Sequence, residues 1–280
     1  MSSNLSTIQH TKDLLSRYGI QPKKQFGQNF LVDKNAVKAV IETGQIQKSD
    51  TVLEIGPGIG VLTKELALAA GKVIAVEKDP QMVEILISEL ADSKIGNVKI
   101  VQQDALEFLA SGGADSLGAY KAAGNIPFYL TSHLVRVLLE TKNQPQKIVF
   151  VMQKEVAQRI ASVPPDMSLL SASVQFYARP KIGGYVKRGS FWPAPDVDAA
   201  IIGITPDQPQ RDIDRDLFFK ILKAGFSQPR KQLINNLSKS LKADKIKINN
   251  WLLKNNIQPV RRAETLSMGD WVNLTKTSDV

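Results

Sequence analysis

T-V-L-E-I-G-P-G-I-G, residues 51–60, is a short apolar run that ends in three alternating glycines. A helical pattern follows from Val61 to Ala70, so a buried strand feeds a helix through a tight loop. Such a loop suits an anionic or polar ligand, because the first N–H groups of the helix converge on it. A bare strand-to-helix turn is the plain alternative, and the next strand weighs against it. K-V-I-A-V-E (72–77) ends in Glu77, nineteen residues beyond Gly58. There a carboxylate can accept both ribose hydroxyls of a nucleoside lying across the strand ends.

A dinucleotide is a poor match. Its fingerprint separates the last two glycines by two residues, whereas Gly56, Gly58 and Gly60 alternate, and no Arg directly follows Glu77 to take a 2′-phosphate. A nucleoside without a pyrophosphate fits better. S-adenosylmethionine is one, with its amino-acid carboxylate on the N–H groups of the loop around Gly56 and Gly58 and its ribose on Glu77. Asp104, after the third strand at 98–102, is placed to accept from an adenine amine. An Asp between a strand and an apolar stretch also serves as a helix N-cap, and the two roles are compatible.

N-I-P-F (125–128) follows a fourth strand, Y-K-A-A-G (120–124), and leaves the sheet at the same edge as the glycine loop. An exocyclic aromatic amine is a poor nucleophile, since its lone pair is delocalised into the ring. Two acceptors on its hydrogens turn that lone pair out of conjugation. The Asn125 side-chain oxygen and the Ile126 carbonyl are candidates; Pro127 fixes the backbone and adds no competing donor. Phe128 offers a stacking face for the base. Methyl transfer of this kind needs no metal and no strong base. The chain has no cysteine and only His10 and His133, and His133 lies on an apolar helical pattern at 130–140, which suits a structural role.

From K-K-Q-F-G-Q-N-F-L (23–31), through the glycine loop, Glu77, Asp104 and N-I-P-F, to F-W-P-A-P-D-V-D-A-A (191–200), the chain resembles the ribosomal RNA adenine dimethylases. The bacterial small-subunit branch is the nearest match. The resemblance implies cofactor contacts at Asn29, Leu31, Gly56, Glu77, Asp104 and Asn125, and a second aromatic wall at Phe191 facing Phe128. It also implies a Rossmann-like, seven-stranded methyltransferase sheet and dimethylation of two adjacent adenosines in a hairpin near the 3′ end of small-subunit RNA, within a pre-ribosomal particle. Position 128 is Phe where many relatives have Tyr, Ala199 stands where Ser is usual, and Pro229 where a second Arg is common. Two rivals remain: the related large-subunit adenine methylase that confers macrolide resistance, and an RNA-binding assembly or transcription factor that keeps the fold without catalysis.

At 280 residues, 43% of them hydrophobic, the chain has material for two domains. Strands alternate with helices to about 204, with further strand-like runs at 146–152, 172–178 and 197–204, and an antiparallel strand is expected at that edge. T-P-D-Q-P-Q-R-D (205–212) reads as a linker. The expected division is a methyltransferase domain at 1–205 and a small all-helical domain at 213–280. Net charge is +9, but Leu217 to Arg262 alone carries eleven Lys or Arg against Asp244, a net of +10. That excess reads as a phosphate-binding surface for folded RNA, with Arg230, Lys231, Arg261 and Arg262 as candidates. Lys23, Lys24, Arg179, Lys181, Lys187 and Arg188 extend it. The N-terminus lacks the pattern of a signal peptide and no apolar stretch approaches membrane-spanning length, so a cytoplasmic location is expected; the enzyme is further expected to need no metal and to be a monomer.

Overall fold

The computed structural model describes residues 8–22, 28–127, 130–207 and 213–279. The run at 51–55 is the pivot of a seven-stranded sheet. In chain order the elements are α1 (Ile8–Arg17), β1 (Phe30–Leu31), α2 (Lys34–Gly44), β2 (Thr51–Ile55), α3 (Val61–Ala69), β3 (Lys72–Glu77) and α4 (Pro80–Asp92). There follow β4 (Val98–Gln102), α5 (Ala105–Ala110), β5 (Tyr120–Asn125), α6 (Thr131–Glu140), β6 (Lys147–Gln153), α7 (Lys154–Ile160) and α8 (Leu169–Gln175). The chain continues through β7 (Ala178–Val186), β8 (Phe191–Trp192), β9 (Ala199–Pro206), α9 (Arg215–Gly225), α10 (Leu233–Leu241), α11 (Lys245–Lys254) and α12 (Met268–Lys276).

Strand order is β4-β3-β2-β5-β6-β9-β7. The neighbours from β4 to β6 are parallel, and β9 runs antiparallel to β6, as the missing crossover helix led one to expect. The chain winds from β2 outward through β3 to β4, then returns to lay β5 on the other side of β2. This reversal is the switch point at which open parallel sheets leave a crevice beyond the strand ends. Register completes the placement: Ile55 pairs with Val76, and Glu54 with Ala123. The glycine loop, Glu77 and Asn125 therefore emerge side by side.

The glycines of the loop are required by the backbone. Gly56, Gly58 and Gly60 have φ of 67°, 55° and 85°, the left-handed region that β-carbons disfavour, and Gly60 is the N-cap of α3. Asp79 caps α4 ahead of Pro80 at its first position, and Asp104 caps α5. A separate two-stranded ribbon pairs β1 with β8, Phe30 opposite Trp192 and Leu31 opposite Phe191. Ser190 Oγ donates to Asp33 Oδ2 at 2.8 Å and fixes that ribbon to the N-cap of α2.

Two expectations need correction. The run at 172–178 is mostly α8, because Ser168 and Ser171 form a reciprocal capping box that satisfies the helix's first donors. The strand belongs instead to 178–186, where Gly183 and Gly184 dilute the strand signal. The chain also divides differently from a single cut at 205: one compact unit is Met1–Ala157 with Pro180–Pro206, the other Gln158–Arg179 with Asp207–Val280. The excursion at 158–179 joins the second unit because Met167 and Ala172 enter its helical core with Phe218, Leu222, Trp251 and Trp271. Thr205 and Pro206, read as linker, finish β9. In the second unit the buried Asn236 amide donates to the carbonyls of Gly225 and Gln228 at 2.7 and 2.9 Å, holding the turn between α9 and α10.

Replacing the capping serine should expose the cost of this arrangement. Ser168→Ala is expected to lower stability by about 1 kcal/mol, and Ser168→Thr by much less, read from urea denaturation.

Candidate active site

A cavity of about 420 Å³ opens at the switch point, within the size range of small-molecule sites. Its wall includes Asn29, Leu31, Gly56, Gly58, Glu77, Asp104 and Asn125, all expected to touch the cofactor, together with Ile126, Pro127 and Phe191 from the expected base pocket. Phe128, Lys23 and Lys24 lie outside the described residues.

Glu77 is buried at the end of β3, and its carboxylate is already engaged. Oε2 accepts the Gly58 N–H at 3.0 Å, and Oε1 accepts those of Lys78 at 2.8 Å and Asp79 at 2.9 Å. Burial raises its pKa above the usual carboxylate range, with the three N–H groups acting in the opposite direction. About one of its four lone-pair directions is left, on Oε2. The expectation of two independent ribose bonds is thus narrowed to one open acceptor direction, because the carboxylate also braces the glycine loop.

Asp104 is an N-cap, as its position suggested, and its other oxygen is engaged by a neighbouring cation. Oδ1 accepts the Leu106 N–H at 2.9 Å as N-cap, and Oδ2 holds the Lys78 ammonium at 3.0 Å. Partial burial works to raise its pKa, but Lys78 and the helix N–H groups outweigh it and leave the carboxyl below its ordinary value. Asn125 ends β5. Its Nδ2 donates to the Asn29 carbonyl at 2.8 Å, so the amide is oriented and Oδ1 is presented as an acceptor. The Ile126 N–H is tied to the Val151 carbonyl at 3.1 Å, and the Pro127 carbonyl accepts from Leu130 at 3.0 Å. The turn is therefore held on both sides of the Ile126 carbonyl.

Three cavity residues escaped the reading of the sequence. Phe30 lies against the loop, and a β-carbon on Gly58 would stand 3.2 Å from its ring. Gln28 Nε2 donates to Asp79 Oδ2 at 3.2 Å, carrying the segment before β1 over to the start of α4. Glu54, only 1% exposed, lines the cavity from the end of β2. Burial, more than the neighbouring Glu77 charge, pushes its pKa to about 8, and the Thr63 hydroxyl beside it moves it the other way. In the strand pattern Glu54 is one polar residue in a buried run, and burial there favours its neutral form. Among the described residues, no group of three His, Cys, Asp or Glu side chains is arranged to hold a metal.

The cavity fits S-adenosylmethionine: a braced loop with convergent N–H groups, an acceptor at the ribose position, and a buried carboxyl oxygen that lacks a partner. Fold and cavity are those of an S-adenosylmethionine-dependent methyltransferase. The profile of the family described as ribosomal RNA adenine dimethylase matches residues 19–279, and the chain belongs to that family. It is 36% identical over 276 residues to a Dehalococcoides mccartyi protein named ribosomal RNA small subunit methyltransferase A, covering 98% of this chain and 94% of that one. A protein of the same name from Streptococcus equi subsp. zooepidemicus is 40% identical over 275 residues, covering 94% of each. Among solved structures, a dimethyladenosine transferase from Plasmodium falciparum superposes with TM-score 0.71 at 24% identity, over 86% of this chain and 94% of the other. The 23S rRNA methyltransferase ErmE superposes with TM-score 0.73, also at 24%, over 90% and 100%. These two likenesses establish the fold.

Glu54 gives the site a pH signature. Its raised folded pKa means that the folded state holds the proton more tightly than the unfolded one, so ligand-free stability should fall as pH rises from about 4.5 to about 8. The slope from this group is at most about 1.4 kcal/mol per pH unit. Glu54→Gln should flatten it, as measured by denaturant titration at pH 5, 7 and 8.5.

Proposed function

We propose that this protein dimethylates N6 of two adjacent adenosines in a hairpin near the 3′ end of small-subunit ribosomal RNA. The observation that carries the reading is Asn125, which lines the cavity next to Ile126 and whose amide is anchored through Nδ2 on the Asn29 carbonyl, leaving Oδ1 as the acceptor. When bound, S-adenosylmethionine supplies a methyl group already activated on sulfonium. The protein's task is orientation. Asn125 Oδ1 and the Ile126 carbonyl accept the two amine hydrogens and direct the nitrogen lone pair, Pro127 stiffens the turn, and Phe191 offers a face to the base, the role the family resemblance also gives to Phe128. Stacking of this kind contributes about 1–3 kcal/mol per base. One amine proton leaves to water after each transfer.

The small-subunit assignment is supported by the relatives at 36% and 40% identity. A large-subunit methylase is the second reading. It is favoured only by the superposition on ErmE, which at 24% identity carries fold and no more. The helical unit supports an RNA partner through its charge: Arg230 and Lys231 are exposed between α9 and α10, and Lys231 and Lys239 border a hollow of about 260 Å³ with Gln228, Asn235 and Asn236. Arg261 and Arg262 are more committed. Arg261 bonds to Thr265 through its side-chain and backbone oxygens, and Arg262 stands 3.6 Å from Glu264. Their charge faces RNA while their geometry secures the turn at 263–265. Work on a pre-ribosomal particle, as a cytoplasmic monomer, completes the proposal; among the described residues no helix is long and apolar enough to cross a membrane.

Mass analysis of nucleosides from small-subunit RNA, after incubation with labelled cofactor, tests the assignment directly. Dimethyladenosine should appear, and its absence from small-subunit RNA alongside appearance in large-subunit RNA would favour the second reading. Asn125→Ala should lower the transfer rate by about 100-fold or more at saturating cofactor, whereas Glu77→Ala should act chiefly on cofactor affinity. Full activity of Asn125→Ala would falsify the orienting role.

RNA positioning is separable from chemistry. If about five cations of the helical unit touch phosphates, log affinity should fall with log salt at a slope of about −3.5 to −4.5. Neutralising Arg230, Lys231, Arg261 and Arg262 together should flatten that slope and leave cofactor affinity unchanged. An unaltered slope would return these side chains to a solvated face.

A further inference from the structure

Tyr185 takes no part in the mechanism above, yet this large ring stands 60% exposed at the end of β7. The stretch Y-V-K-R-G-S-F (185–191) that it opens has an aromatic ring at each end and two cations between them, and its far end is the cavity residue Phe191. We propose that Tyr185 is a stacking platform for an unpaired nucleotide flanking the target adenosine, with Lys187 and Arg188 on the phosphates that link the two. The inference rests on the ribosomal RNA methyltransferase reading and deepens it.

Topology places the ring. β5 and β6 are parallel, and the Ile126 N–H is bonded to the Val151 carbonyl, so the end of β6 lies beside the turn that orients the amine. Lys154 directly follows that end, and its Nζ stands 5.3 Å from the centre of the Tyr185 ring. Tyr185 therefore lies along the same edge of the sheet as Asn125, three strand spacings away in the order β5-β6-β9-β7. At the usual separation of strands this is about 14 Å, a span that suits a flanking nucleotide and is too long for the target base itself. Asn125, Lys154, Tyr185 and Phe191 all belong to one compact unit.

The connection from ring to pocket is fixed through its main chain. Asp198 Oδ1 accepts the Arg188 N–H at 2.9 Å, and the Asp198 carbonyl accepts the Lys154 N–H at 3.0 Å, so one residue ties the cation-bearing turn to the start of α7. The Ser190 carbonyl accepts the Val32 N–H at 2.9 Å, and the Ser190 hydroxyl is bonded to Asp33, which sets the direction in which the chain enters β8. Lys187 and Arg188 are exposed, whereas Val186 before them and Phe191 beyond them are buried. Their charges thus stand outward along the path from the exposed ring to the pocket, and Lys154 adds a third beside the ring. An aromatic face with cations along the backbone path is the combination by which unpaired nucleotides are held.

Small-subunit particles whose RNA ends in a ligated synthetic 3′ hairpin allow single bases beside the target adenosines to be removed. An abasic residue at one flanking position should raise KM for the unaltered protein by about 5-fold to 100-fold, the range of one stacked base, with kcat within about twofold. Tyr185→Ala should raise KM as much on the intact particle and be indifferent to that abasic residue, while Tyr185→Phe should behave as the unaltered protein. Lys187→Gln with Arg188→Gln should reduce the magnitude of the salt slope of RNA affinity by about 1.4. Circular dichroism and an unchanged cofactor affinity check that the variants are folded. A 4-thiouridine at the same flanking position, crosslinked to the unaltered protein, should map to residues 185–191 and tests the platform without any variant. An unaffected KM in Tyr185→Ala would leave the ring as cover for an edge strand, full abasic sensitivity in that variant would place the flanking base elsewhere, and equal loss in Tyr185→Phe would assign the contact to the hydroxyl. Each of these results, or crosslinks confined to other residues, overturns the platform, and an unchanged salt slope overturns the role given to Lys187 and Arg188. If the unaltered protein methylated neither adenosine of the intact particle, the reading on which the platform rests would fall instead.

Discussion

The Glu77 carboxylate accepts three backbone N–H groups, from Gly58 in the glycine loop and from Lys78 and Asp79 at the turn into α4. Through these bonds the ends of β2 and β3 are held in one frame. Asp79 then caps α4 and receives Gln28, so the frame reaches the segment that leads into β1. The cavity's shape follows from this carboxylate. A residue expected to read the ribose therefore also positions the loop, and its replacement acts on both.

Opposite this charged edge, the other wall is assembled from short pieces. Phe30 and Leu31 meet Trp192 and Phe191 across a ribbon two residues long in each strand. So small a ribbon has little stability of its own, and it persists because Phe30, Leu31 and Phe191 are buried in the main apolar cluster. Asn125 bridges the walls: its backbone belongs to β5, and its amide is oriented by the carbonyl of Asn29 beside β1. Orientation of the reactive group thus depends on sheet and ribbon together.

Charge is divided along the chain as the chemistry is. The basic excess lies between Leu217 and Arg262, in the helical unit, while the described cavity wall carries four acids and the single Lys78. An acidic pocket suits a cationic donor and a basic surface suits a polyanion. Neither would serve in the other's place.

Local pattern was enough to read much of this protein. Alternating glycines after an apolar run need the left-handed backbone, and an acid at the end of the following strand lies beside the loop in any parallel sheet; N-I-P-F after a further strand leaves by the same edge. These signals are carried by residues adjacent in sequence, so the gathering of Glu77, Asp104 and Asn125 along one cavity was legible. The run at 172–178 misled because its apolar and aromatic character suits either state, and the capping pair Ser168 and Ser171 decided for helix. The excursion at 158–179 was hidden for a related reason, since membership of the helical core depends on where Met167 and Ala172 pack and not on their neighbours in sequence. Glu54 marks the boundary most clearly. The sequence determined that an acid stands in a buried strand, but only tertiary structure, by enclosing it at the switch point beside Glu77, decided that its pKa is raised and that it lines a ligand cavity.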